Sequence, residues 1–81
     1  MIIDVHHVGI AVRDMDVALR LYHEALGLPV VKQGLAAARG ARVSVLPAGK
    51  SYLEIIQPVA IDSPFATFIR ERGEGLHHVG L

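Results

Sequence analysis

The sequence predicts a single α+β domain, and three features of the chain carry that prediction. Its 81 residues suffice for one small domain. Segments with the alternation typical of strands are separated by segments whose apolar residues recur at helical spacing. A five-residue string at residues 6–10 returns at residues 77–81 with one conservative change. The expected order is β-α-β-β-β, followed by a linking helix and a further strand.

The first strand and helix are expected between residues 5 and 27. Residues 5–12 alternate and are rich in β-branched side chains, as strands are. Asp14 is predicted to cap the N-terminus of a helix, and Gly27 to end it. Apolar residues at helical spacing give this helix one apolar face, which consists of Met15, Ala18, Leu21, Tyr22, Ala25 and Leu26.

Three further strands are expected before the linking helix, at residues 29–33, 42–46 and 51–57. The last two are predicted to form a hairpin, because residues 47–50 contain proline and glycine in the positions typical of a turn. The Ala/Gly-rich segment at residues 34–40 shows no clear periodicity and is assigned only as a connection.

The linking helix and the repeat define the organisation of the chain. Ser63 followed by Pro64 is typical of a helix N-terminus. Because the repeated string begins a strand in both places, we interpret the second copy as the start of a second module. The predicted parts are a βαβββ module at residues 1–58, a linker with a short helix at 59–75, and the first strand of a second module at 76–81.

Composition narrows the expected partners and location. The chain is 52% hydrophobic, which is high for its size and indicates that part of its surface meets a second module or a second chain, so a homodimer is expected. Eight basic residues balance eight acidic ones, which argues against nucleic acid or a membrane surface as a partner. The absence of cysteine excludes disulfides and thiolate metal sites. The first six residues lack the features of a secretory signal, so a cytoplasmic location is expected.

Strand alternation places three side chains with metal-binding groups on one face of the predicted sheet. His7 and Gly9 point away from the face that the first helix covers, and Glu54 and His78 point to the same side in their own strands. Two imidazoles and a carboxylate suit one divalent ion such as Co²⁺, Mn²⁺, Ni²⁺, Fe²⁺ or Zn²⁺. The alternative is that these are ordinary structural or exposed polar residues. Because the repeat selects both histidines independently, we predict a metal site formed by His7, Glu54 and His78.

Several strings resemble those of a known family. HHVGIAV at residues 6–12 and YHEALG at residues 22–27 resemble the opening of the glyoxalase/bleomycin-resistance (vicinal-oxygen-chelate) superfamily. YLEIIQP at residues 52–58, DSPFA at 62–66 and GEGLHH at 73–78 are similar to methylmalonyl-CoA epimerases within it. The resemblance covers nearly the whole chain.

The resemblance implies a fold, a metal and a reaction. It implies paired βαβββ modules around one divalent ion, whose ligands match His7, Glu54 and His78, with a fourth ligand late in a second module. It also implies an acyl-CoA or related thioester substrate, whose proton next to the thioester carbonyl is removed and returned. Some members carry a carboxylate on the third strand, but residues 42–46 contain none, so no catalytic base is assigned.

Three alternatives remain at this point. The first is a lactoylglutathione lyase of the glyoxalase I type, because the same scaffold supports both reactions. The others are a non-catalytic module that binds a small molecule, which retention of the three ligands argues against, and an inert fragment. A second module could come from a longer chain or from a second copy. Arg39, Arg42 and Lys50 are interpreted as ordinary surface charges rather than as a site for the CoA phosphates.

Overall fold

The computed structural model describes residues 5–81 as a five-stranded sheet with two helices. The first four residues of the predicted module 1–58 lie outside the described residues. The elements are β1 His7–Ala11, α1 Met15–Leu19, β2 Lys32–Ala36, β3 Ala41–Ala48, β4 Ser51–Pro58, α2 Pro64–Arg72 and β5 Gly75–Gly80. The predicted α+β class and the predicted order of elements are therefore confirmed. Within residues 5–81, no helix is long and apolar enough to cross a membrane.

The sheet has the order β2-β3-β4-β1-β5, which places the first strand near its centre. The hairpin between β3 and β4 is antiparallel, and β1 runs parallel to β4. A parallel pair of strands requires a long connection between them, and the connection from β1 to β4 contains α1 and the β2-β3 hairpin. β5 pairs antiparallel with β1.

The repeated string pairs with itself across β1 and β5. Val8 lies opposite Val79, His7 lies opposite Gly80, and Gly9 lies opposite His78. This register is symmetric about the Val8–Val79 pair, so a local two-fold relates His7 to His78. The repeat seen in the sequence is therefore a structural repeat at the middle of the sheet.

Both faces of the sheet carry buried apolar residues. On the α1 face the buried cluster consists of Val12, Met15, Ala18, Leu46 and Ile55. On the opposite face Phe65 of α2 packs against Ile56 and Ala41. Ala11, two residues after Gly9 in β1, is fully buried. The open part of this face is therefore confined to the end that carries the histidines.

The predicted helix caps are confirmed. The Val17 amide donates to Asp14 Oδ1 at 3.1 Å at the start of α1. The Phe65 amide donates to Ser63 Oγ at 3.2 Å at the start of α2, with Pro64 in the first turn. Gly27 follows the first helical segment with φ of 76°, the left-handed conformation that a terminating glycine supplies.

The predicted apolar face of the first helix is only partly correct. Met15 and Ala18 are buried, but Leu21 and Leu26 are exposed. After α1 the chain continues as a π-helical segment at Arg20–Ala25, and the Leu26 amide donates to Leu21 O, five residues back. The wider π turn shifts the residues that follow out of the 3.6-residue period, so the periodicity argument fails there.

The second strand lies later in the chain than predicted. The pattern favoured residues 29–33, whereas β2 spans Lys32–Ala36 and pairs with β3. Val30, which raised the strand propensity of the earlier segment, packs against the buried cluster under α1 instead. Tertiary packing therefore outweighed local propensity at this position.

Candidate metal centre

The three predicted ligands lie on the same face of the sheet, here called the ligand face. Paired residues on adjacent strands point to the same side, so they form rows across a sheet. One row crosses all five strands and consists of Lys32, Val45, Glu54, Gly9 and His78. Gly9 has no side chain, so the row leaves a gap between Glu54 and His78. The predicted placement of all three ligands on one face is consistent with this register.

The two predicted histidine ligands are in contact. His7 Nε2 lies 3.0 Å from His78 Nε2, and their rings meet edge to face with centroids 5.0 Å apart. Glycine makes this approach possible: a Cβ added at Gly9 would overlap the His78 ring, and one added at Gly80 would overlap the His7 ring. The repeated His-Val-Gly string thus supplies both rings and the two open positions over which they lie.

The neighbouring histidines orient this pair. His6 Nδ1 lies 2.9 Å from His7 Nδ1, and His77 Nδ1 lies 2.9 Å from His78 Nδ1. The ring of His77 also packs against Phe65 and Phe68 of α2, with centroids 4.8 and 5.0 Å away. Each ring of the central pair therefore directs Nδ1 to its chain neighbour and Nε2 to the other ring. Contacts of this kind fix the orientation of a ligand imidazole.

The surroundings of His78 favour its neutral form. Burial lowers the pKa of His78 from its ordinary value of 6.5. Electrostatic repulsion by His7, His77 and Arg39 lowers this pKa further, whereas the Glu54 carboxylate raises it. A neutral imidazole has a free lone pair, which is the form that binds a metal ion. At neutral pH the ring can therefore act as a ligand without first losing a proton.

Glu54 is close to the histidines but is paired with a cation. Its Oε1 lies 2.8 Å from Arg39 Nη1, with the carboxylate side chain 18% exposed and the arginine side chain 39% exposed. Oε1 is buried and accepts no hydrogen bond within the described chain, so the close approach is an ionic contact without hydrogen-bond alignment. The Arg39 guanidinium also lies over the Phe65 ring, 5.0 Å from its centroid.

Arg39 is the site residue that the sequence did not identify. It was interpreted as an ordinary surface charge, and the structure corrects this, because the ion pair with Glu54 and the stacking on Phe65 hold it on the ligand face. It belongs to a single 3₁₀ turn at Ala37–Arg39 within the Ala/Gly-rich connection. Such a short turn has no repeating pattern of apolar residues, so neither strand alternation nor helical spacing could indicate Arg39.

The structure brings together two of the three predicted ligands. His7 and His78 touch, whereas Glu54 stands in the same row as His78 with its carboxylate at Arg39. In residues 5–81, no group of three potential ligands lies within metal-binding reach. The donor set is present on one face, but the Glu54 carboxylate is held at Arg39 and does not form a three-ligand group with the two imidazoles in the described chain.

Two adjoining cavities border Glu54. One, of about 330 Å³, lies over β2 and β3, and its polar lining includes Lys32, Arg39 and Glu54. The other, of about 320 Å³, is bounded by His6, His7, Val45, Tyr52 and Glu54. Cavities of this size are in the range that holds small molecules. A ligand bound in either cavity would contact the carboxylate that lies beside the histidine pair.

Comparison with protein families gives a match over almost the whole chain. Residues 6–81 match the family described as Glyoxalase/Bleomycin resistance protein/Dioxygenase superfamily. An uncharacterized protein of Bacillus subtilis, YqjC, is 37% identical over 75 residues, which are 93% of this chain and 54% of that protein. The mitochondrial methylmalonyl-CoA epimerase of Bos taurus is 32% identical over 75 residues, covering 91% of this chain and 43% of its own length.

Solved structures that are similar to this chain include methylmalonyl-CoA epimerases. Methylmalonyl-CoA epimerase from Mycobacterium tuberculosis superposes with a TM-score of 0.86 at 34% identity, over 93% of this chain and 51% of that one. A variant of the Streptomyces coelicolor enzyme in complex with 2-nitronate-propionyl-CoA gives 0.84 at 28% identity, over 93% and 58%. This chain therefore spans about half the length of the proteins it matches.

Proposed function

This chain belongs to the Glyoxalase/Bleomycin resistance protein/Dioxygenase superfamily, and we propose that it provides half of a metal-dependent active site of the methylmalonyl-CoA epimerase type. One observation carries the proposal. His7 and His78 are in contact at Nε2, and Glu54 stands in the same sheet row across Gly9. The same set of residues lies in a chain that is 32% identical to a methylmalonyl-CoA epimerase.

The residues on the ligand face fit the divalent ion that the family implies. Two nitrogens 3.0 Å apart match the spacing of adjacent ligands on an ion that binds each at about 2.1 Å. Burial lowers the pKa of His78, which favours the neutral form that binds. Glu54 Oε1 is buried, and its partner in the described chain is Arg39, in an ionic contact without a hydrogen bond, so a stronger cation can compete for it. His7, His78 and Glu54 would hold the ion, whose identity among Co²⁺, Mn²⁺, Ni²⁺, Fe²⁺ and Zn²⁺ the donor set does not select.

The chemistry of an epimerase needs a stabilised carbanion next to a thioester. When bound, a divalent ion would supply electrostatic stabilisation of the charge that develops as the proton leaves. On the protein side, Val43 and Val45 add apolar surface to the cavity that borders Glu54, against which the apolar part of a substrate could pack. His6 and His77 hold the two ligand rings in place through their Nδ1 contacts.

A second half is needed for the proton transfers. Glu54 is the only acidic residue in the five strands, and as a metal ligand it is not free to act as the base. We propose that residues 1–58 form the first module, 59–75 the linker and 76–81 the first strand of the second, with the base in the missing half. The rest of a longer chain, or a second copy in a cytoplasmic homodimer, would supply it.

Metal binding is the first test. The chain is titrated with Co²⁺ by calorimetry and by visible absorption, beside Glu54→Gln and a matched control, Glu74→Gln. Glu74 also pairs with an arginine, Arg13 at 3.3 Å, but on the exposed surface. Loss of Glu54 should weaken Co²⁺ binding about tenfold or more, while the control should leave it unchanged.

The reaction is tested by exchange of the substrate proton. In D₂O, if a second copy supplies the base, the Co²⁺-loaded chain should exchange the α-proton of methylmalonyl-CoA faster than free Co²⁺ does, as followed by proton NMR. The hemithioacetal of methylglyoxal and glutathione is assayed in parallel, since its conversion would favour a glyoxalase. Failure of the wild-type chain to bind Co²⁺ would refute the metal centre. Binding without exchange would show that a second copy does not supply the base, and would leave either the rest of a longer chain as its source or a non-catalytic role.

A further inference from the structure

We propose that Arg39 sets the affinity of this site for a divalent cation by holding the Glu54 carboxylate away from the histidine pair. The inference rests on the proposed metal centre and assigns a role to a residue outside its ligand set. Arg39 would act as a positioning residue, because it contacts Glu54 and not the bound ion.

Arg39 is held in place by its backbone and by its side chain. Its carbonyl accepts a hydrogen bond from Ser63 Oγ at 3.2 Å, and the next residue, Gly40, adopts a left-handed φ of 60°. The amides of Val59 and Ala60 donate to the carbonyl of Gly40, which ties this turn to the segment before α2. The guanidinium is thus directed over the ligand face, and the Phe65 ring supports it from one side.

The Glu54 carboxylate can be neutralised in two ways. A buried carboxylate is costly to leave without a positive partner, and Arg39 now provides that partner at 2.8 Å. A divalent ion at the histidine pair would offer a stronger one, across the gap left by Gly9. Because the two cations compete for one carboxylate, an ion that draws Glu54 toward the histidines weakens its contact with Arg39.

The competition predicts a gain of affinity when the guanidinium is removed. Arg39→Gln should tighten Co²⁺ binding by about fivefold, the scale of a partly exposed ion pair. Arg39→Met should act in the same direction while keeping an unbranched stem against Phe65. It guards against a variant that loses its fold through lost packing.

Arg42→Gln is the matched control. It removes the same charge two residues after Gly40, but Arg42 pairs with Gln57 on β4 and so points to the opposite side of β3 from Val43 and Val45. It should leave the affinity for Co²⁺ unchanged. If net charge alone mattered, Arg39→Gln and Arg42→Gln would change the affinity for Co²⁺ by the same factor.

A double-variant cycle distinguishes competition from a structural role. In a Glu54→Gln background there is no carboxylate to release, so Arg39→Gln should no longer tighten Co²⁺ binding. Affinities come from calorimetry, and circular dichroism checks that each variant is folded. If wild type and Arg39→Gln both bind Co²⁺ with equal affinity, the proposed role of Arg39 is wrong but the metal centre stands. Absence of binding in both removes the proposed metal centre as well.

Discussion

Gly9→Ala tests the packing on which the histidine pair depends. An added Cβ would lie 2.8 Å from His78 Nε2 and closer still to Cε1, inside the contact distance that such atoms tolerate. Because β1 is paired on both sides, the backbone cannot easily retreat, and the ring must move. We expect His78 to leave its contact with His7.

The expected loss of stability follows from two opposing effects. Forcing a side chain out of a packed position costs about 1–3 kcal/mol. Replacing glycine by alanine raises the free energy of unfolding by about 0.4–1 kcal/mol, because alanine restricts the conformations of the unfolded chain. The difference between the two ranges is about 0–2.6 kcal/mol, and its middle value of about 1 kcal/mol lowers Tm by about 4–8 °C for a domain of this size.

The assay is thermal unfolding followed by circular dichroism, with a chelator present so that bound metal does not add to stability. Gly34→Ala is the matched control, since Gly34 is also a strand glycine and nothing lies within 4 Å of an added Cβ. It should be neutral or slightly stabilising. In a His78→Ala background, Gly9→Ala should lose its penalty, because the overlapping ring is absent.

The refuting result is specific. If Gly9→Ala and Gly34→Ala shift Tm by the same amount, the His78 ring does not lie over Gly9, and the close contact between His7 and His78 does not exist in solution. If the penalty persists without the His78 ring, the strain arises in the backbone of β1 and not from this contact.

Two further predictions concern Ser63, which is buried, and His78, which is half-buried. Ser63→Ala should destabilise the chain by about 1–2 kcal/mol in urea unfolding, because Ser63 Oγ both accepts from the Phe65 amide and donates to the Arg39 carbonyl. Ser51→Ala, whose Oγ donates only to the Val5 carbonyl, should lose less, and equal losses would contradict the double role of Ser63. For His78, burial lowers the pKa in the folded chain below 6.5, so the unfolded chain takes up the proton first and stability falls as pH drops through 6.5. An NMR titration that places the His78 pKa at or above 6.5 would refute this.

The histidine pair was predictable from sequence because strand alternation is a local rule. In β1 every second residue faces the same side, and the matching string in β5 gave a second, separate prediction for His78. The register of β5 against β1 shifts at His77, but His78 and Gly80 keep their predicted pairing across from Gly9 and His7. The face that carries Glu54 followed from the same rule in β4. These predictions required only the strand assignment, which the β-branched residues made clear.

Two features lay beyond such rules because they depend on contacts between distant segments. The π-helical segment at Arg20–Ala25 changes the period without a glycine or proline to signal it. Arg39 reaches Glu54 only because the 3₁₀ turn, α2 and β4 converge, and residues 34–40 carry no periodic pattern. An irregular connection is defined by what it packs against, so its functional residue became visible only in three dimensions.

The local two-fold explains why the site has two imidazoles but one carboxylate. It exchanges His7 with His78 and Gly9 with Gly80 about the Val8–Val79 pair. Glu54 lies across from Gly9 because β4 pairs with β1, and β5 is the last strand of the described sheet on its own side. In the proposed two-module assembly, a strand equivalent to β4 would pair with β5 and bring its ligand across from Gly80. The ion would then have one imidazole and one strand-borne ligand from each half, so the contact between His7 and His78 is the point at which the halves meet.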